Sequence, residues 1–320
     1  MLTDLRFVMG SVAKKDFLPS LKHFRIENGE IRAFNGTIAL GAPINIDLNC
    51  APEATPFFKA VQNCPAEIGL HMTEKGRLAV KSGSFKAFID CVEGETPHVR
   101  PEGEDLAIDG EAILRALKAL TPFIGDDASR PWSNGVLFSK QSAFATNNVI
   151  AVEYWVGTQF PFEFNIPEVA VIEMLRINEA PISAKFQDNC LSFFYASGRW
   201  IRTSLFDCRW PDIRKILDNK SEQQPFDTRI FEALDSIKPF LDKLGRVYFK
   251  DGVVSTSEVE GDGASFAIEG LPFIGVYAHE MLTRLKGVAT SIDYGAYPKP
   301  ALFFGDRLRG AIIGMRVYAE

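Results

Sequence analysis

Few side chains in this sequence are spaced for bond-making chemistry. The four histidines, His23, His71, His98 and His279, fall on separate stretches, with no His-Glu-x-x-His pair to hold a metal. The five cysteines (Cys50, Cys64, Cys91, Cys190, Cys208) are odd in number, scattered, and free of any Cys-x-x-Cys pair. Neither a metal site nor a disulfide framework is expected, and no cofactor is called for. There is no Gly-x-Ser-x-Gly elbow and no Walker A loop. Asp126-Asp127 and Glu258-Val259-Glu260-Gly261-Asp262 read as solvated loops. Gly261-Asp262-Gly263 reads as a turn, because no helix opens directly after it to receive a phosphate. Catalysis therefore survives only as an α+β enzyme whose site is assembled from dispersed residues.

The elements around these residues carry more information than the residues themselves. The chain has 320 residues, 46% hydrophobic and 24% charged, the balance of a globular protein of two or three domains. No apolar run approaches the ~20 residues of a membrane helix, and the first residues lack the order of a signal peptide, so the cytoplasm is the expected compartment. A net charge of −6 argues against a protein coating nucleic acid over its whole surface, and leaves a local basic lining open.

One stretch is written three times. Ser197-Gly198 opens an alternating run, Trp200 to Leu205, that stops at the Trp210-Pro211-Asp212 corner. Ser82-Gly83 opens the run Phe85 to Ile89, and Gly305-Asp306-Arg307-Leu308 leads into the apolar Ala311 to Met315. Gly83, Gly198 and Gly305 lie 115 and 107 residues apart, a period that signals tandem structural units. Each unit reads as helix, strands, helix, strands. The helices are expected at 3–14 and 56–63, at 109–120 and 167–177, and at 228–241 and 277–286. Asn28-Gly29 and Asp251-Gly252 mark hairpins. Polar, turn-rich stretches near Pro101–Asp105 and Asn219–Pro225 divide the chain into 1–103, 104–222 and 223–320. Two helices covering antiparallel sheet in each unit make the class α+β.

Three such units, the corner Trp210-Pro211-Asp212-Ile213-Arg214-Lys215-Ile216-Leu217 and the closing Ile313-Gly314-Met315-Arg316-Val317 resemble the bacterial and phage sliding clamps, the DNA polymerase III beta subunit family, in diverged form. Ala13 to Leu21, with its Leu18-Pro19, and Ala145-Thr146-Asn147-Asn148 are similar to further family motifs. The resemblance implies three tandem DNA-clamp domains, a head-to-tail homodimer closed as a ring around duplex DNA, and a non-catalytic processivity role. Its partners would be DNA, a polymerase and a clamp loader, the proteins engaging through short peptide motifs. Helices would line the hole, placing Arg6, Lys14, Lys15, Lys59, Arg115, Lys118, Arg176, Lys238, Arg284 and Lys286 toward phosphate without base readout. Taken singly, each reads first as part of a solvated helix face, and Glu168 and Glu173 interrupt the positive charge.

The resemblance also implies a peptide pocket of Thr146, Asn148, Val149, Ile150, Pro211, Ile216, Ile313, Gly314, Met315 and Arg316, with Met315 adaptable to varied apolar side chains. The main chain of the last strand is expected to add hydrogen bonds to an extended peptide, and Tyr318-Ala319-Glu320 to lie near enough to cover it. The family writes His-Arg-Leu where this chain has Val149-Ile150-Ala151, and Met-Pro-Met-Arg-Leu where it has Ile313-Gly314-Met315-Arg316-Val317. Between subunits, the edge Lys81 to Phe88 with Lys81, Phe85 and Lys86 would meet Phe240, Leu241 and Leu244 of the other chain. A peptide-binding ring that leaves DNA alone is the remaining alternative. Retention on circular but not linear DNA separates these readings.

Overall fold

The computed structural model describes residues 1–15, 18–92, 97 and 99–316. Its elements come in three rounds. The first holds α1 (Leu2–Val8), β1 (Arg25–Glu27), β2 (Glu30–Phe34), β3 (Ile38–Pro43), α2 (Ala54–Gln62), β4 (Gly69–Met72), β5 (Leu78–Ser82) and β6 (Phe85–Ile89). The second runs β7 (Glu104–Leu106), α3 (Gly110–Leu120), β8 (Gly135–Ser139), β9 (Ser142–Thr146), β10 (Ile150–Trp155), β11 (Phe164–Pro167), α4 (Glu168–Ile177), β12 (Ser183–Gln187), β13 (Cys190–Phe194) and β14 (Trp200–Ser204). After a short α5 (Arg214–Leu217), the third has β15 (Gln224–Pro225), α6 (Arg229–Ile237), β16 (Arg246–Lys250), β17 (Val253–Ser255), β18 (Ser265–Ala267), β19 (Gly275–Ala278), α7 (His279–Thr283), β20 (Ser291–Ile292), β21 (Ala301–Gly305) and β22 (Leu308–Ile312).

Local sequence explains most of these bounds. Asn28 and Gly29 have φ of 54° and 71°, the left-handed pair that a tight hairpin needs, and Asp251 and Gly252 repeat it at 48° and 76°. In α6 the buried residues Ile230, Phe231, Ala233, Leu234 and Ile237 follow helical spacing, which leaves Arg229, Glu232 and Asp235 to water. Two expectations fail. The first helix ends at Val8 and tightens into a 3₁₀ turn at Met9–Ser11, well short of residue 14. The stretch 277–286 is not one helix: Tyr277 pairs with Val247 as part of β19, and α7 spans only five residues. Burial in an aromatic cluster decides this, because Tyr277 lies 4.9 Å from Phe273 and 6.1 Å from Phe249. The third written copy also shifts, with β22 beginning at Leu308 and the left-handed residue being Arg307 (φ 54°).

The chain forms two compact units, Met1–Leu114 with Ile166–Phe206, and Arg115–Asn165 with Asp207–Glu320. In the first, a seven-stranded sheet runs β1-β2-β3-β14-β13-β12-β7. Its seam joins first-round β3 to second-round β14, with Trp200 opposite Gly41, Ile201 opposite Leu40, Arg202 opposite Ala39 and Thr203 opposite Ile38. In the second, an eight-stranded sheet runs β11-β8-β9-β10-β22-β21-β20-β15. There second-round β10 meets third-round β22, from Ile150 opposite Ile312 to Tyr154 opposite Leu308. Two smaller sheets remain, β4-β5-β6 in the first unit and β18-β17-β16-β19 in the second.

Candidate functional site

The residues expected to form a peptide pocket lie in the second unit, and hydrogen bonds hold most of them in place. Thr146 ends β9, and its hydroxyl donates to the Ile150 carbonyl (2.7 Å) while accepting from the Asn148 N–H (3.0 Å). The Asn147 carboxamide oxygen accepts from the N–H groups of Val149 (3.1 Å) and Ile150 (2.8 Å), an Asx turn that sends Asn148 to φ 70°. The closing segment runs against this turn: the Ile313 N–H donates to the Val149 carbonyl at 2.9 Å. The Met315 N–H donates to Val276 (2.7 Å), and the Tyr297 hydroxyl donates to the Met315 carbonyl (3.0 Å).

Those bonds revise one expectation, since the main-chain donors of Ile313 and Met315 are already used within the chain. They also account for Gly314. A Cβ there would fall 2.7 Å from the Tyr297 ring and 3.1 Å from the Val276 carbonyl, so the position that the family gives to proline has no room for a side chain. Ile313 is 43% exposed, Pro211 and Arg316 are exposed, and Val149, Ile216 and Met315 are half-buried. Ile216 packs on Leu217, Leu302 and Ala311 beneath the corner. Residues 317–320, the expected cover, lie outside the described residues.

Sequence reading missed an aromatic pair beside the corner. Trp132 and Trp210 meet edge to face at 5.5 Å, and the Trp210 indole N–H is buried without a partner among the described residues. Gly125 ties the pair to the turn, because a Cβ there would meet the Ser133 hydroxyl at 2.8 Å and the Thr146 carbonyl at 3.2 Å. The signal was present: tryptophan before a proline corner is a costly residue to place where only a turn is needed.

The expected DNA-facing cations divide by surroundings. In the first unit Arg6 on α1, Lys14 and Lys15 beyond it, and Lys59 on α2 are exposed. Arg176 on α4 is engaged: it is paired with Glu173, which is buried, and donates to the Phe7 carbonyl at 2.9 Å. Glu173 in turn fills the space beside Gly10, where a Cβ would come within 2.1 Å of its carboxylate. The hydrogen bonds it donates to Glu173 hold the Arg176 guanidinium above its usual range, against the opposing effect of burial. In the second unit Arg115 and Lys118 lie exposed on α3, and Lys238 follows α6. Arg284 donates to the Pro122 carbonyl at 2.6 Å and pairs with Glu280, while Lys286 sits 3.6 Å from Asp235. A cavity of about 590 Å³ beside Lys286 is lined by Thr228, Phe231, Glu232, Asp235 and Ser236, so the local charge there is mixed.

The residues expected between subunits are open to water. Lys81 and Lys86 are exposed, Phe85 and Leu241 are half-buried, and Phe240 and Leu244 are 62% and 64% exposed. Phe88 adds itself to this group: its ring is 43% exposed, with the Lys86 ammonium 4.7 Å and the Arg77 guanidinium 5.9 Å away. Among the described residues no group of three or more His, Cys, Asp or Glu is placed to hold a metal ion, and no helix is long and apolar enough to cross a membrane.

No family model matches the sequence, and no curated protein resembles it in sequence. Its fold, in contrast, matches solved sliding clamps over almost its whole length. The DNA polymerase sliding clamp of Bacillus subtilis superposes with a TM-score of 0.82 at 15% identity, covering 99% of this chain and 97% of that one. The sliding clamp of Bartonella birtlesii, solved with griselimycin bound, gives 0.84 at 16% identity over the same shares. That of Pseudomonas aeruginosa, also solved with griselimycin, gives 0.81 at 14%. The chain has the sliding-clamp fold.

Proposed function

We propose that the protein is a diverged DNA polymerase III beta subunit, a non-catalytic cytoplasmic clamp that closes head to tail as a homodimer around duplex DNA and tethers a polymerase. Its domains are 1–103, 104–222 and 223–320. The observation that carries this reading is a pair of strands left over. Each internal seam joins the strand after a Gly- or Arg-marked turn in one round (β14, β22) to the third strand after the first helix of the round before it (β3, β10). The first two of those third strands enter identically, since Asn35 and Asn147 each accept from the N–H groups two and three residues on. One strand of each kind is still unused. β6 is a free edge of the β4-β5-β6 sheet and β18 is a free edge of the β18-β17-β16-β19 sheet. An unpaired edge is a template for another chain, and two complementary edges on one molecule make a heterologous contact that can close into a ring.

The internal seams also supply a register. Ser255 opposite Ser265 occupies the place of Phe34 opposite Ala39 and Thr146 opposite Ala151. Phe85, across its turn from Ser82, occupies the place of Leu308 across from Gly305. Carrying the β10–β22 register over sets Phe88 against Ser265 of a second copy, Ala87 against Phe266, and Lys86 against Ala267. The exposed Phe240 and Leu244 lie on the same round as β18 and complete that face with Leu241, Lys81 and Phe85.

Within the ring, Arg6, Lys14, Lys15, Lys59, Arg115, Lys118, Arg176, Arg284 and Lys286 form the DNA lining, with Lys238 at its margin. Arg176 and Arg284 contribute while engaged to Glu173 and Glu280. The pocket of Thr146, Asn148, Val149, Ile150, Pro211, Ile216, Ile313, Gly314, Met315 and Arg316 takes apolar side chains of polymerase and clamp-loader peptides.

A covalent ring tests the whole reading. Native cysteines are replaced by serine, and cysteines are set at Lys86 and Ala267. The protein is cross-linked with a short bifunctional reagent in the presence of a plasmid circle. A clamp stays on the circle through high salt and leaves when the plasmid is cut. Protein that washes off the intact circle, or remains on the cut one, refutes encirclement. Phe85→Asp halves the assembly mass with an unchanged melting curve for each unit; a dimer of normal mass from that variant places the seam elsewhere.

A further inference from the structure

Two cysteines that share no part in the seams lie together in the first unit. Cys50 leads toward α2 and is held by β1, its N–H donating to the Ile26 carbonyl (3.1 Å) and its carbonyl accepting from Ile26 (2.9 Å). Cys91 lies two residues past the end of β6. Around it the Glu53 N–H donates to Asp90 (2.9 Å) and the Val92 N–H to Ala51 (3.0 Å), an antiparallel bridge that sets Pro52 opposite Cys91. Stepping back two residues from Pro52 returns to the same face, which puts the Cys50 and Cys91 side chains diagonally across the bridge. The two thiols lie close enough for each to shift the acidity of the other. Cys50 is 5% exposed and Cys91 is half-buried, so one sulfur of the pair is shielded and the other is reachable.

The environments push the two sulfurs apart. The neighbouring Cys50 thiol pulls Cys91 down to about 7 against the effect of burial, and the main chain at Leu78 and Ala51 lowers it further. The Cys91 sulfur and burial push Cys50 up. A reachable thiolate beside a protonated partner is the arrangement of an attacking and a resolving thiol. Cys64, by contrast, donates to the Ala60 carbonyl within its own helix turn, and burial pushes Cys208 up.

We propose that Cys50 and Cys91 are a dithiol that a hydroperoxide oxidises to an intramolecular disulfide, tying the end of edge strand β6 to the segment leading into α2. The Cys91 thiolate attacks the outer peroxide oxygen, the O–O bond breaks, and the alkoxide or hydroxide leaves and takes up a proton. Cys91 is then a sulfenic acid. The Cys50 sulfur attacks it, an S–S bond forms, and the S–O bond breaks; the Cys50 proton and the departing hydroxide make water. Two thiols are oxidised by two electrons, and the peroxide is reduced. The dithiol stands independently of the clamp reading, because none of its atoms depends on a second chain.

The test is peptide mapping of the full chain after one equivalent of hydrogen peroxide at pH 7, without reductant. The expected product is a Cys50–Cys91 linked peptide that has lost two hydrogens, with Cys64, Cys190 and Cys208 still alkylated as free thiols. In Cys50→Ser, oxidation should stop at a Cys91 sulfenic acid that dimedone traps. Without peroxide, Cys91 should react with iodoacetamide roughly five- to tenfold faster than Cys64 at pH 7, the higher thiolate fraction outweighing its lower nucleophilicity. The proposal is overturned by the absence of the linked peptide, by Cys91 joined to a different cysteine, or by equal alkylation of Cys91 and Cys64. Circular dichroism of Cys50→Ser checks that the fold persists; should that variant unfold, the linked peptide and alkylation ratio in the unaltered chain decide.

Discussion

The two internal seams share one topology and differ in what they carry. At the first, β3 and β14 meet aromatic against glycine. Trp200 lies over Gly41 and donates its indole N–H to Glu30 at 3.3 Å, beside the buried Arg32 that pairs with Glu27 and Glu30. At the second, β10 and β22 meet through charge. Glu153, 12% exposed, receives Arg309 at 2.7 Å and Arg214 at 3.6 Å, and Arg309 reaches Asp218 at 2.9 Å. Their mouths differ as well. By register Phe34, Thr37 and Ser204 of the first seam occupy the places of Thr146, Val149 and Ile313 of the second. The first mouth is a polar cavity of about 320 Å³ lined by Phe34, Thr37, Val99, Arg100, Gln187, Arg202 and Ser204. The second is aliphatic, with Val149, Ile216, Ile313 and Met315. The same sheet connection ends in a polar cavity in one unit and among aliphatic side chains in the other, and the proposed function places leucine or phenylalanine side chains at the second.

The largest effect is expected where the first seam has no slack. A Cβ at Gly41 would lie 2.1 Å from the Trp200 indole. Gly41→Val should cost the first unit about 3 kcal/mol or more, because a rigid ring across a strand ladder cannot step aside. Urea unfolding followed by Trp200 fluorescence measures it, and a midpoint unchanged from the parent protein would mean that the indole relocates. Gly310 has the same relation to Phe303, whose ring atoms begin 2.3 Å from an added Cβ, so the matching change in β22 should act on the second unit alone.

The second seam should respond to charge instead. Glu153→Gln leaves Arg309 and Arg214 facing a neutral amide. Both arginines are about one-third exposed, which screens the loss, so roughly 1–2 kcal/mol is expected rather than the larger cost of a fully buried pair. Salt separates the two seams here. Raising ionic strength should shrink the gap between Glu153→Gln and its parent, and should leave the Gly41→Val gap unchanged.

Much of this architecture was legible locally, and the seams were not. Asn28-Gly29 and Asp251-Gly252 announced hairpins because a left-handed pair leaves few alternatives. The threefold repeat was legible because each round enters its closing strand from a tight turn, on the left-handed Gly83 and Gly198 in the first two and on Arg307, two residues past Gly305, in the third. What a local pattern cannot show is that Trp200 pairs with a glycine 159 residues earlier, since nothing near either residue encodes the other. The same limit explains the misread stretch at 277–286, where short apolar runs fit helix or strand equally and the aromatic cluster around Phe273 decides. Among the candidate site residues, type and exposure followed from sequence for Arg6, Lys59 and Phe240. The engagement of Arg176 by Glu173 and Phe7 did not, because that pairing depends on where α4 lands against α1.

Peptide binding sharpens the contrast between the mouths. Met315→Asp places a charge in the aliphatic opening and should weaken binding of a polymerase C-terminal peptide at least about tenfold, or ~1.4 kcal/mol. The register-equivalent experiment in the first seam is Ser204→Asp, which should leave that affinity unchanged. Fluorescence anisotropy of a labelled peptide reads both. Equal losses from the two variants would assign the peptide to neither mouth, and a loss from Ser204→Asp alone would move the site to the first seam.

The smallest effect concerns acid. Asp4 on α1 receives the Arg199 guanidinium at 2.8 Å, a link from the first round to the residue that opens β14. Burial pushes the Asp4 carboxyl up, but the bond from Arg199, joined by that from the Met1 ammonium at 3.1 Å, prevails and holds it below its usual range. A carboxyl whose folded value is depressed binds protons more readily in the unfolded chain. Its stabilisation is therefore complete above the unfolded value, near pH 4, and fades as pH falls through the folded one. Both side chains are 21% exposed, so the link is worth roughly 0.5–1 kcal/mol. Arg199 also lies 5.1 Å from the Phe7 ring, a contact that acid does not alter. Arg199→Met should consequently lower the urea midpoint of the first unit by a small amount at pH 6, with the gap narrowing toward pH 3 to what the Phe7 contact alone contributes. A gap constant across that range would assign the whole effect to packing on Phe7 and leave the first seam without an acid-sensitive contribution from Asp4.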